Sequence, residues 1–180
     1  MLDEVLTIIP IPEFPIDVDE NAMKATQLEL GVELPSDFLA YARVFGSGTI
    51  VIDETYDFEI YSPGRSTFID FVRKFTDRQN QYRRATGNVN MPFGLFPEPE
   101  GLLPFGHRDD MYFAWKTKGD PSEWTIVVIW QFEPGGYQDF AIGFCEFLSG
   151  ILRQKLRLAP FKTIWDDGAE IQFEPEVYGG

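Results

Sequence analysis

Histidine and cysteine are nearly missing from this chain: His107 and Cys145 are single copies. One cysteine excludes an intrachain disulfide, and one residue of each kind cannot close a zinc site. Imidazole acid–base chemistry would rest on His107 alone. No apolar run is long enough to span a bilayer. Met1-Leu2-Asp3-Glu4 is acidic where an export signal would be basic, and no Asn begins an Asn-X-Ser/Thr acceptor site. Together these absences predict a cytoplasmic protein without membrane contact, metal or cofactor.

Basic residues are also scarce. There are 15 Lys and Arg against 29 Asp and Glu, for a net charge of −14. Residues 1–60 hold 13 acidic and 2 basic residues, while residues 61–119 hold 6 and 9. Such a chain repels phosphate backbones and anionic lipid, so nucleic acid is excluded as a direct partner and a basic protein is favoured. The same charge also serves solubility on its own. Aromatic residues are abundant, with 17 Phe, 7 Tyr and 4 Trp among 180 residues. That supply suffices for one folded domain without a covalent staple.

Residues 1–18 contain Pro10, Pro12 and Pro15 and read as an extended arm rather than a helix. Helices are expected from about Asp19 to Leu30, from Ser36 to Phe45 with Ser36 as cap, from Ser66 to about Arg84, and from Gly143 to about Leu156. In the third of these, Phe68, Phe71, Val72 and Phe75 repeat at helical spacing, and Arg73, Lys74, Arg78, Arg83 and Arg84 occupy the rest of the surface. Strands are expected at Thr49–Asp53, Thr55–Tyr61, Leu102–Phe105, Met111–Lys116, Trp124–Phe132 and Tyr137–Ala141, with a further one at Ile171–Phe173. In Trp124–Phe132 both faces are apolar, which predicts a strand covered on both sides. Glu133-Pro134-Gly135-Gly136 reads as a turn, and residues 87–100 as a long loop. Helices flanking a block of strands give an α+β class.

Chemical motifs are weak. His107-Arg108-Asp109 matches the start of a kinase catalytic loop, but Ala114 stands where that loop needs Asn. His107 reads instead as a solvated residue at a strand-to-strand turn. Cys145 lies among Phe144 and Phe147 and reads as a structural thiol. Asp17, Asp19 and Asn21 open like a calcium loop, but Ala22 replaces the required Gly and Leu28 the required Glu. Carboxylate pairs occur at Asp53/Glu54, Asp57/Glu59, Asp109/Asp110 and Asp166/Asp167, too many for a pair to mark a hydrolase. The sharper feature is the alternating strand: Thr55, Asp57, Glu59 and Tyr61 share a face, with Asp53 and Glu54 at its turn. Acidic groups interleaved with Tyr suit a basic partner. The candidate partner-binding set is therefore Asp53, Glu54, Asp57, Glu59, Tyr61, Asp109 and Asp110, with no catalytic residue assigned.

Three segments together carry a family resemblance. The first runs from Leu30-Gly31 through Leu34-Pro35-Ser36-Asp37-Phe38 to Phe45-Gly46-Ser47-Gly48. The second is Gly101-Leu102-Leu103-Pro104-Phe105-Gly106, followed by Asp109-Asp110 and the strand Met111 to Trp115. The third is Phe144-Cys145-Glu146-Phe147-Leu148. In order and spacing they resemble the SUKH superfamily, the Smi–Knr type domains, over roughly residues 20–156. The resemblance implies an antiparallel β-sheet wrapped by helices in a single domain, placed at residues 19–157; the tail at 158–180 lies outside the resemblance and is expected to pack on that domain. It implies no shared catalytic residues. It also implies an immunity protein that binds and neutralises a cognate bacterial toxin, a basic nuclease being one class that fits the charge. The alternatives are a non-catalytic interaction or regulatory scaffold of the Smi–Knr kind and, less favoured, a hydrolase.

Overall fold

The alternating runs of the middle of the chain become one antiparallel sheet with helices packed against it. The computed structural model describes residues 1–13, 19–86, 92–130, 136–159, 165 and 168–176. Its elements are α1 (Leu2–Leu6), α2 (Glu20–Leu30), α3 (Ser36–Phe45), β1 (Gly48–Ile52), β2 (Tyr56–Ile60), α4 (Ser66–Thr86), β3 (Leu102–Arg108), β4 (Met111–Lys116), β5 (Thr125–Trp130), β6 (Tyr137–Phe140), α5 (Phe144–Leu152) and β7 (Ile171–Pro175). The sheet order is β6-β5-β4-β3-β2-β1-β7, and every neighbouring pair is antiparallel. This is the α+β architecture that the sequence implies. The turn at 133–135, Phe132, Pro15, Asp17, residues 87–91 of the long loop and the Asp166/Asp167 pair lie outside the described residues.

The main core lies between one face of the sheet and α1, α3 and α5. The three segments singled out in the sequence meet in it. The Phe38 ring lies 4.7 Å from Trp115 and 4.9 Å from Phe144, both edge-on, and Phe105 lies 5.3 Å from Phe144. Burying each such side chain stabilises by about 1.5–3 kcal/mol, and edge-to-face pairs add about 0.5–1.5 kcal/mol. These motif residues are thus the centre of the core.

Asp37 links the first and third segments directly. Its Oδ2 accepts a hydrogen bond from the Cys145 N–H at 3.0 Å, so it caps α5 from the neighbouring helix. A side chain at Gly143 would crowd that carboxylate, since its Cβ would lie 3.0 Å from Oδ2. Pro35, not Ser36, occupies the N-cap position of α3, and no side chain caps that helix. Cys145 is fully buried, with Sγ 3.5 Å from the Asp37 carbonyl, and burial together with the Asp37 charge pushes its thiol up to about 12.

Two helix boundaries differ from expectation. Leu2–Leu6 is helical, where an extended arm is expected. The prolines that suggest extension begin only at Pro10, and burial of Val5 and Ile9 in the main core holds the helix in place. The last helix stops at Leu152, short of Leu156, because Gln154 turns left-handed (φ 57°) and the Leu156 N–H closes back on Gly150 O at 2.9 Å. Beyond residue 157, Leu158, Trp165 and Phe173 all enter the main core.

The opposite, outer face of the sheet has a smaller core. Phe71 and Phe75 of α4 cover Leu102, Tyr112, Ala114, Val127 and Ile129. Phe68 and Val72, from the same helical stripe, join the main core instead. β5 is therefore covered on both faces, as its pattern predicts: Ile126 and Val128 point one way, Val127 and Ile129 the other.

Candidate functional site

Directly opposed residues share a face, so the register places one row across all seven strands: Glu174, Thr49, Glu59, His107, Tyr112, Ile129 and Tyr137. From β4 to β5 that row lies beneath α4. From β7 to β2 no described helix covers it. The uncovered part forms a hollow of about 570 Å³ lined by Thr49, Val51, Asp53, Glu54, Thr55, Tyr56, Asp57, Glu170, Gln172 and Glu174. Five of these ten carry carboxylates.

The rim of the hollow is the β1–β2 turn. Asp53 and Glu54 both adopt left-handed backbone (φ 49° and 52°), and the Thr55 N–H donates to Ile52 O at 3.1 Å to close a tight hairpin turn. The Asp53 carboxylate accepts from the Glu170 N–H at 2.8 Å, while its own N–H donates to Glu170 O at 2.9 Å, tying the turn to β7. Asp57 lies 3.5 Å from Arg108, whose guanidinium also sits over the Tyr56 ring at 5.1 Å.

Glu59 and Tyr61 sit where the uncovered and covered parts meet. The Tyr61 hydroxyl donates to Glu59 Oε2 at 2.6 Å, and His107 Nε2 lies 3.3 Å from both of those oxygens. The Tyr61 ring stacks on Phe71 at 4.2 Å, under the edge of α4. Burial, with the Glu59 hydrogen bond adding to it, raises the Tyr61 hydroxyl well above its ordinary range. His107 is not a solvated turn residue: it belongs to β3, stacks against Phe71, and the turn begins two residues later at Asp109 and Asp110. One ring nitrogen faces Glu59 and the other is buried, so neither is presented to the hollow.

The structure therefore divides the candidate set. Asp53, Glu54 and Asp57 line one hollow, and Glu59 and Tyr61 border it. Asp109 occupies the β3–β4 turn (φ 48°), and Asp110 is held by Arg78 of α4, which also donates to the Tyr112 hydroxyl at 3.0 Å. Two further α4 arginines are matched in the same way, Arg73 with Glu29 and Arg83 with Glu98. The residues that sequence reasoning misses are Glu170, Gln172 and Glu174. Their alternation with Ile171 and Phe173 marks a strand, but nothing local says which strand they join. Among the described residues, no group is placed to hold a metal ion, and no helix is long and apolar enough to cross a membrane.

A family model described as the SMI1 / KNR4 family (SUKH-1) matches residues 17–150. The chain belongs to the SMI1 / KNR4 family. No curated protein matches it, and no solved structure does. The SMI1 / KNR4 match takes in α2 to α4, most of α5 and the first six strands, including the rim of the hollow. Both α1 and β7 lie outside it, so one wall of the hollow comes from beyond the family-matched segment.

Proposed function

We propose that this protein is a cytoplasmic immunity protein that binds and neutralises a toxin, using the uncovered acidic end of the sheet's outer face. The observation that carries the reading is the hollow itself, where Asp53, Glu54, Asp57, Glu170 and Glu174 gather in a family whose domains bind partner proteins. Glu59 and Tyr61 form its inner border and Asp109 an outlying contact. A basic surface on the toxin, such as the substrate-binding face of a nuclease, would be drawn in by charge and covered. No bond is made or broken; inhibition is steric and electrostatic.

The test is co-expression with the toxin encoded beside it. Rescue from killing is expected, together with a complex on gel filtration. The association rate should fall about tenfold or more between low and high salt, because steering over this face is screened. Killing that persists with no complex formed would refute the pairing, and a salt-independent rate would refute the role of the acidic face. Changing Asp57 and Glu174 together to Asn and Gln should slow association without altering the fold.

A further inference from the structure

The two edges of the sheet are finished differently. At β6, the Gln138 side chain donates to Arg157 O at 3.1 Å and accepts from the Ala159 N–H at 3.2 Å, so residues 157–159 run along that edge. At β7, no described strand pairs on the side away from β1.

The backbone phase of β7 follows from its neighbours. The Asp53 N–H donates to Glu170 O, and the Glu176 N–H donates to Ser47 O, both at 2.9 Å. Antiparallel alternation then turns the backbone groups of Gln172 and Glu174 toward β1, and those of Ile171, Phe173 and Pro175 outward. Pro175 has no N–H to offer, so an outward ladder ends there. Ile171 and Phe173 are the usable rungs. Their side chains lie on the core side, with the Phe173 ring 5.2 Å from Phe45. Gln172 and Glu174 lie on the acidic side and line the hollow.

Charge selects the occupant. Residues 168–176 carry Glu170, Glu174 and Glu176 and no basic residue. Two copies meeting edge to edge would set like charges against one another, whereas a strand with basic residues on the hollow side would set opposite charges together. We infer that β7 is the docking edge for an extended segment of a basic partner protein, which adds as an eighth strand and lays alternate Lys or Arg side chains beside Gln172 and Glu174. This rests on the partner-binding reading above and specifies how that face is engaged. Main-chain bonds to Ile171 and Phe173 supply the hold, and side chains over the hollow supply the selectivity.

The probe is a capped Lys-Val-Lys-Val-Lys-Val peptide, compared with the same peptide N-methylated at its valines. Added antiparallel, the valines form the hydrogen-bonded pairs with Ile171 and Phe173, so methylation removes the ladder bonds and leaves the charge intact. The unmethylated peptide should bind the full-length protein at low salt and slow amide exchange at Ile171 and Phe173. The methylated one should bind about tenfold more weakly or worse, as expected for the loss of two or more hydrogen bonds. Equal binding by both peptides with those amides unchanged overturns strand addition and leaves the acidic-face reading standing. No binding by either overturns both.

Discussion

The outer face of the sheet is two surfaces in one. Under α4 it is a packed layer in which Phe71 and Phe75 bury Tyr112, Val127 and Ile129. Beyond β3 no described helix covers it, and carboxylates replace the apolar side chains. The same seven-residue row crosses both, so backbone geometry is shared and only side-chain chemistry changes. Where a helix covers the sheet, selection is for volume and shape. Where none does, the face is free to carry charge. The α4 arginines sharpen the difference, because Arg73, Arg78 and Arg83 are paired with acids near the covered half, while the hollow holds five carboxylates.

Phe75→Ala should break the covered half. The side chain is 1% exposed, and its loss is expected to cost about 3–5 kcal/mol in urea unfolding. A cost below about 1 kcal/mol would mean that α4 is not packed as described. Alkaline pH comes next. Burial raises the Cys145 thiol from about 9 to about 12 and raises the Tyr41 and Tyr61 hydroxyls above their ordinary range. Each group is held neutral in the folded state. The stability they contribute is fully present below the unfolded values and is lost as pH rises through the folded ones. Unfolding midpoints should therefore fall progressively above about pH 9, and Cys145→Ser should reduce the part of that fall between pH 9 and 12. Arg78→Ala removes the ties to Asp110 and Tyr112. Because the arginine is half-exposed, the expected loss is about 0.5–1 kcal/mol, read in the same assay. The smallest effect belongs to the uncovered half: Asp57→Asn and Glu174→Gln should each change stability by no more than about 0.5 kcal/mol. A loss above about 2 kcal/mol at either would show that the acidic end is structural.

Much of the fold is legible locally. The Phe68–Phe75 stripe marks α4, the double-sided apolar pattern of residues 126–129 marks β5, and the spaced aromatics of the three family segments mark the core. What is not legible depends on partners distant in sequence. Asp37 reads as a helix-start residue for its own helix, but its charge stabilises α5, 108 residues away. Asp110 reads as a free turn acid until Arg78 is brought over it. Asp53, Glu54 and Asp57 were identifiable as an acidic turn and strand, yet the hollow exists only because β7 lands beside β1. Strand alternation states that a segment will pair; it does not name the neighbour.

That pairing also orders events in time. β1 meets β2 through a three-residue connection and meets β7 only after residues 171–175 have been made. Closing the second contact means ordering more than a hundred intervening residues, which places it late among the steps of folding. Until then the outer edge of β1 lies open on a growing chain. A segment supplied by another molecule could reach that edge sooner than β7 does, so the timing of synthesis bears on which strand β1 meets first.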